Sequence, residues 1–406
     1  MRAIFCAAIS AAILIQSYAK TNWITAAQGD PSGAMDVTAD ARGNSYGVGT
    51  FVGTMTFGDR VLTSAGGSDV FVAKLDRHGR VRWAMSAGSS TDDSVYRVTA
   101  TPDGNIFVTC ELGPSATFND EEIGEGTFLV HISTRGDVTW IQRLTNAWPG
   151  TLYLSKDRHA WLANSVVQHL ALSSTDEKGN QTVLVTEAAD YPRPTRICVA
   201  ADALYVGGSP FGVQSITKLT SDGAISWATP LYVGYPPEPM IDMRLTKRGS
   251  LNIAGNCRYP QSRPDGGAYP SSSFYFIQCS STGSLAGLQV FGEYKGVQQA
   301  NGVAVDRHDR IYSVGYFIRS RAGATPYHGG TFISGPGFSY VFGQPEPSFG
   351  YFQKFLTSIH VDAKCYTYVA GATDGGFTLA NFNLGPNTLL SGGGKAFVMK
   401  LNDAIR

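Results

Sequence analysis

The chain has 406 residues, of which 16 % are charged, 11 % are aromatic and 47 are glycine, with 32 basic residues set against 32 acidic ones. Disorder needs few aromatics and many charges, a coiled coil needs about half Ala, Glu, Lys, Leu and Arg, and a nucleic-acid binder usually shows a basic excess, so these classes are set aside. Short strands joined by glycine turns suit the composition, in an all-β architecture that can fill the whole chain.

Residues 1–19 carry one cation, Arg2, then an apolar run from Ala3 to Ile15, then Ser17, Tyr18 and Ala19. This is the pattern of a signal peptide cut before Lys20, leaving residues 20–406 as one exported domain, extracellular, at the cell surface or periplasmic. The rival, an uncleaved anchor, needs roughly 18 to 20 apolar residues, more than this run offers. No later segment is long and apolar enough to span a bilayer. Cys110, Cys198, Cys257, Cys279 and Cys365 form an odd, scattered set, which favours buried free thiols over a disulfide framework. Cys257 and Cys279 fall on neighbouring strands but out of register. No CxxC pair or Cys/His cluster points to zinc, and no cofactor is expected.

The chain then repeats. Val37, Thr38 and Ala39 lead to Asp40, Gly43 and Asn44 turn, Tyr46 follows, and Gly49 ends the next strand. Counted from Asp40, Thr101, Ser155, Val199, Thr246, Asp306 and Asp362, the sixth residues are Tyr46, Phe107, Trp161, Tyr205, Asn252, Tyr312 and Tyr368. The ninth residues are Gly49, Cys110, Asn164, Gly208, Gly255, Gly315 and Gly371. These anchors define seven units. A second motif closes each unit: five residues separate Lys74 from Gly79 and four more lead to Trp83. The spacing recurs at His131, Gly136 and Trp140, at Lys218, Gly223 and Trp227, and more weakly at Gln278, Gly283 and Gly287. The third unit shows no clear fourth strand. Four antiparallel strands per unit predict a β-propeller, whereas a β-sandwich predicts no such register.

The ends fit one another. Ala396 to Leu401 read as a third strand with no fourth after it, and Trp23 to Ala26 match the fourth-strand pattern. The N-terminal strand, residues 20–30, is therefore expected to complete the last blade and close the ring.

Residues Val37 to Asp40, Gly43, Asn44, Phe57, Gly58, Gly66, Gly67, Asp69 to Asp76, Gly79 and Trp83 resemble the SBBP repeat, the seven-bladed β-propeller repeat of bacterial secreted and cell-surface proteins. Phe382, Gly392, Gly393 and Phe397 to Leu401 repeat the pattern in the last unit. The resemblance implies a seven-bladed propeller, an envelope or extracellular location, and no common catalytic residues.

Two sets of polar residues have rival readings. Asp40, Asp306 and Asp362 could ring a channel mouth around a cation, but Thr101, Ser155, Val199 and Thr246 interrupt that ring, so the favoured role is to make their own turns. Asp-Arg-His occurs at Asp76 to His78, Asp157 to His159 and Asp306 to His308, and is read as solvated turn sequence. The sialidase-type Asp-box is excluded because Trp140 and Trp227 follow their glycines by four residues instead of three. No quinoprotein cysteine pair or calcium set, Gly-x-Ser-x-Gly, His-Glu-x-x-His or phosphate loop occurs.

Three long connections, Leu231 to Asp242, Arg258 to Ser272 and Ile318 to Gly337, stand on the face opposite those turns. They hold the candidate ligand-binding residues Tyr232, Tyr235, Tyr259, Arg263, Tyr269, Arg319, Arg321, Tyr327 and His328. Tyr and Arg on long loops are a recognition composition. The expectation is an exported, monomeric binding or scaffold module for a protein or glycan, without nucleic acid or membrane span. The alternative is a hydrolase or lyase acting on an extracellular carbohydrate, for which Asp242, Asp265, His328 and Glu238 are the available acids and bases.

Overall fold

The computed structural model describes residues 20–119, 121–166, 169–189, 194–208, 214–232, 237–246, 248–262, 268–291, 296–306, 308–319, 328–335, 338–343, 355–373, 378–379, 382–383 and 395–402. The expected signal peptide lies outside them. Among the described residues there is no helix, and the strands form seven antiparallel sheets of four or more strands beside two small ones.

Sheet 1 contains Ser32–Ala39, Ser45–Phe51, Asp69–Leu75 and Val81–Gly88, each paired with the next. Sheets 2 to 6 repeat this order from the first strands Ser94–Ala100, Ala147–Leu154, Pro194–Val199, Pro237–Leu245 and Gly296–Val305. Sheet 7 draws on both ends of the chain: Phe355–Val361, Thr367–Thr373 and Lys395–Asn402 are followed by Lys20–Ala26. Each first strand touches the first strand of the next sheet, and that of sheet 7 touches that of sheet 1. Apolar side chains fill the spaces between sheets, such as Val48, Val70 and Val72 of sheet 1 against Val98, Ile106 and Val108 of sheet 2. Phe71 and Ala73 pack in the same way with Tyr368 and Val398 of sheet 7.

The third unit departs from expectation, because it has a fourth strand, Gln181–Ala189, paired with His169–Thr175. Thr182 stands opposite Ser174 there, where units 1, 2, 4 and 7 set Trp opposite Lys or His, so the tryptophan signal was missing although the strand was not. Asp176 makes the preceding turn by accepting the Lys178 and Asn180 N–H groups.

The two repeated motifs meet as cross-strand rows. Tyr46, Lys74 and Trp83 are in register across three strands, as are Phe107, His131 and Trp140, and Tyr205, Lys218 and Trp227. Tyr368, Lys400 and Trp23 form the same row, with Trp23 supplied by the N-terminal strand. The ammonium groups of Lys74, Lys218 and Lys400 lie 5.3, 5.7 and 4.9 Å from the centres of their tyrosine rings. In the second unit His131 stacks on Trp140 instead. Such cation–aromatic pairs contribute about 0.5–2 kcal/mol each, according to their exposure.

The tryptophans also clasp neighbouring sheets. Trp23 Nε1 donates to Arg77 O at 3.0 Å, Trp83 to Thr134 O at 3.2 Å, Trp140 to Glu177 O at 3.0 Å and Trp227 to Ser281 O at 3.1 Å. Each acceptor lies in the turn between third and fourth strands of the following sheet. Glycine is required in that turn twice over. Gly79 has φ of +81°, and a Cβ there would sit 2.6 Å from the Trp23 ring.

The anchor residues serve their own turns. Asp40 Oδ1 accepts the Arg42 and Asn44 N–H groups, and Oδ2 accepts the Tyr46 hydroxyl at 3.1 Å. Asp306 does the same for His308, Arg310 and Tyr312, and Asp362 for Lys364, Tyr366 and Tyr368. Where the anchor is Thr101, Ser155 or Thr246 its hydroxyl accepts one N–H, and the sixth residue is Phe107, Trp161 or Asn252, with no phenol to hold. Cys110, Cys198, Cys279 and Cys365 are buried free thiols, and Cys257 stands opposite Ser273 while Cys279 stands opposite Leu251.

Candidate ligand cavity

The glycine at the ninth position of the first unit has its cause in the first strand. Ala34 pairs with Gly49 and Asp36 with Val48, which leaves Met35 as an extra residue in a β-bulge. The same step leaves Tyr96, Thr195, Ile241, Asn301 and Thr357 unpaired in sheets 2, 4, 5, 6 and 7. Sheet 3 has a longer break between Trp148 and Tyr153. The bulged backbone comes so close that a Cβ on Gly49 would lie 2.0 Å from Gly33 O. Bulges re-aim side chains, and here they surround a common space. Met35, Tyr96, Thr195, Asn301 and Thr357 line one cavity of about 900 Å³ with Glu111, Trp148, Pro149, Pro194, Arg196 and Met240. Tyr96 donates to Glu111 Oε2 at 2.5 Å, and burial together with Glu111 pushes its phenol up to about 12.

The residues following the bulges form a charged layer. Asp36 accepts the Val37 and Val98 N–H groups and the Ser358 hydroxyl. Asp242 Oδ1 accepts the Met243 N–H, while Oδ2 receives Arg244 Nε and Nη2 at 3.1 and 3.0 Å. Arg97 stands 3.7 Å from Asp242 and 4.0 Å from Asp36, and Arg196 stands 3.7 Å from Asp242. Asp242 holds Arg244 more firmly charged than usual, whereas burial and the adjoining Arg97 work against the Arg196 cation.

A second cavity, of about 420 Å³, follows the first strands past this layer and is lined by Asp36, Arg97, Asp242, Arg244, Asp306 and His360 among others. Burial and the Arg244 charge push the His360 imidazole down to about 4. The unfolded chain takes up this proton near pH 6.5, so it binds more protons than the folded state between about pH 6.5 and 4. Stability is therefore present above that window and lost as pH falls through it. Urea unfolding at pH 7 and pH 4.5 is expected to show the wild type losing on the order of 2 kcal/mol more than His360→Gln. Equal losses would show that His360 is not held neutral.

None of the candidate ligand-binding residues from the sequence is among the described residues that line either cavity. Tyr232 is 82 % exposed. Tyr259 pairs with Ser271 and Tyr269 with Gln261 on Leu251–Ser262 and Ala268–Cys279, so much of the expected loop 258–272 is a long hairpin. Likewise Arg319 pairs with His328 at the end of the sheet 6 hairpin, and Pro237 to Asp242 are strand. Both hairpins extend from the end where the first strands begin, the end at which the bulge residues lie. Tyr235, Arg263, Arg321 and Tyr327 lie outside the described residues, as does Asp265. Of the Asp-Arg-His copies, Asp76 and Asp306 accept turn N–H groups, and Arg158 joins Asp103 of sheet 2 to Glu177 of sheet 3.

Sequence reasoning missed Met35, Tyr96, Trp148, Thr195, Arg196, Asn301 and Thr357. A signal for the rim existed: Met35, Tyr96, Asn301 and Thr357 each stand five residues before their anchor. In sheet 4 the first turn, Ala200 N to Ala203 O, is one residue tighter than Asp40 N to Asn44 O, so Thr195 breaks the count.

No protein-family model matches the chain, and no curated protein matches it. Solved structures do. A streptogramin B lyase structure is 12 % identical and covers 94 % of this chain and 98 % of its own at a TM-score of 0.50. The Dos1 propeller, 8 % identical, covers 94 % and 95 % at 0.47. The β-propeller domain of the trilobed protease from Pyrococcus furiosus, 9 % identical, covers 92 % and 99 % at 0.43. At these identities the first likeness bears on fold alone, and the other two are too distant to argue from. With its four-stranded antiparallel sheets, the chain has a β-propeller fold.

Proposed function

We propose that the protein is an exported, monomeric seven-bladed propeller that binds a glycan, free or protein-borne, in the bulge-lined cavity, with the hairpin ends of sheets 5 and 6 as an outer rim. The observation that carries this reading is the cavity wall, which combines an indole, a phenol, an amide, hydroxyls and a guanidinium around about 900 Å³. Trp148 and Tyr96 offer ring surface to sugar C–H faces, and Thr195, Asn301, Thr357 and Glu111 offer hydrogen bonds. Export and surface residence are supported by the N-terminal pattern and by the resemblance to the SBBP repeat. Closure of seven blades is supported by the cyclic contacts of the first strands and by the Trp23 row and clasp. Tyr259, Tyr269, Arg319 and His328 lie on those hairpins, and Tyr232, Tyr235, Arg263, Arg321 and Tyr327 are kept as further proposed ligand contacts.

Carbohydrate cleavage, the alternative, gains little from the cavity wall. A Tyr96 phenol pushed up to about 12 stays protonated at neutral pH, and Asp242 is committed to Arg244. A glycan array probed with the mature protein and with Trp148→Ala tests the binding reading. Capture by the parent and a loss of at least about tenfold in the folded variant is expected. Equal capture by both would remove the cavity from the account, and new reducing ends on a captured glycan would favour cleavage.

A further inference from the structure

Hydrogen-bond capacity is unevenly shared in the charged layer, where Arg196 of the first cavity meets Asp36, Arg97 and Asp242 of the second. Asp242 is satisfied by Arg244 and the Met243 N–H, and Asp36 by two backbone N–H groups and Ser358. Arg97 and Arg196 face these carboxylates only at 3.7–4.0 Å, beyond hydrogen-bond reach. Arg196 Nη1 donates to Thr195 O, but Arg196 Nε is buried without a hydrogen-bond partner. Both side chains keep 20 % of their surface exposed. Three guanidiniums against two occupied carboxylates leave positive charge in a recess, a costly arrangement without an anion.

The wall above has the opposite character. Thr195 and Thr357 donate their hydroxyl protons to Gly207 O and Ala34 O, and Tyr96 donates to Glu111. Asn301 donates its amide to Leu356 O. The Thr195, Thr357 and Tyr96 oxygens and the Glu111 carboxylate retain acceptor capacity for a ligand, and Asn301 keeps its carbonyl oxygen and one further amide N–H. A matching ligand carries many O–H donors, an apolar ring face for Trp148 and one anionic group. We propose that the cavity takes an acidic glycan, a uronate-bearing oligosaccharide whose carboxylate docks between Arg196 and Arg97 while its hydroxyls donate to the wall. This rests on the cavity reading above and names its ligand class. An acidic peptide fits less well, since it brings fewer O–H donors to the Thr195, Thr357, Tyr96 and Glu111 oxygens than a glycan does.

Calorimetric titration with hexagalacturonate, hexaguluronate, their methyl esters, maltohexaose and a hexaglutamate peptide tests the assignment. At least one free acid is expected to bind at least about tenfold more tightly than its ester, as a charge-assisted Arg–carboxylate pair requires. Arg196→Gln and, separately, Arg97→Gln are expected to abolish the difference between acid and ester, with the fold of each checked by its melting profile. Equal affinity for acid and ester, or an acid preference that survives in Arg196→Gln, overturns the carboxylate site while leaving glycan binding in place. Binding of hexaglutamate alone, or of none of these probes, overturns the uronate assignment. Loss of all glycan binding in Trp148→Ala separates the cavity reading from the charge assignment, since that variant keeps both arginines.

Discussion

Replacing Trp23 by Ala is expected to destabilise the fold by about 3–5 kcal/mol, the cost of removing a large buried side chain. Three separate interactions meet at this residue. Its ring is buried against Gly79, its Nε1 donates to Arg77 O, and its strand holds the free side of Lys395–Asn402. Thr25 adds a hydroxyl bond to Gly79 O. Trp23→Phe keeps most of the burial and loses the donor, so it should cost on the order of 1 kcal/mol more than the lost volume alone. Chemical denaturation of both variants, beside Trp83→Ala and Trp140→Ala, compares this N-terminal clasp with those inside the chain. If Trp23→Ala cost less than 1 kcal/mol while Trp83→Ala were severe, the N-terminal strand would not close the ring.

Asp242→Asn should be as damaging, at about 3–5 kcal/mol, for an electrostatic reason. Arg97, Arg196 and Arg244 all stand within 3.7 Å of this carboxylate, and a neutral amide leaves three guanidinium charges around Asp36 as their remaining counter-charge. A second change, Arg244→Leu, removes the cation that Asp242 pairs most closely and should recover part of the loss. A double variant no more stable than Asp242→Asn would mean that backbone support, through the Met243 N–H, outweighs charge balance.

The repeat was legible because it reflects contacts that recur in sheets 1, 2, 4 and 7. Tyr46, Lys74 and Trp83 are far apart in sequence but meet in one row, so the units that build this row keep the spacing. Gly79 is fixed by a tryptophan of another sheet. The third unit's last strand was not legible, because Thr182 replaces the tryptophan and only backbone pairing marks the strand. The cavity was illegible for another reason. A bulge residue has no preferred chemistry, and Met35, Tyr96, Asn301 and Thr357 share a position but no type. Arg97, Arg196 and Asp242 are separated by long stretches of chain and become one cluster only when first strands from different sheets face a common space. The Tyr, Arg and Pro composition of 231–242, 258–272 and 318–337 is conspicuous in sequence, but of their described residues Pro237 to Asp242 are first strand and Tyr259, Tyr269, Arg319 and His328 are hairpin strand.

The most direct measurement is hydrogen exchange of the mature protein with and without a captured glycan. The account expects slowed exchange at the first-strand bulges, residues 34–36, 95–97, 194–196, 300–302 and 356–358, with weaker protection in the sheet 5 hairpin. Protection confined to the turns around Asp40, Asp76 and Asp306, with the bulges unchanged, would place the ligand on the opposite face and contradict the account.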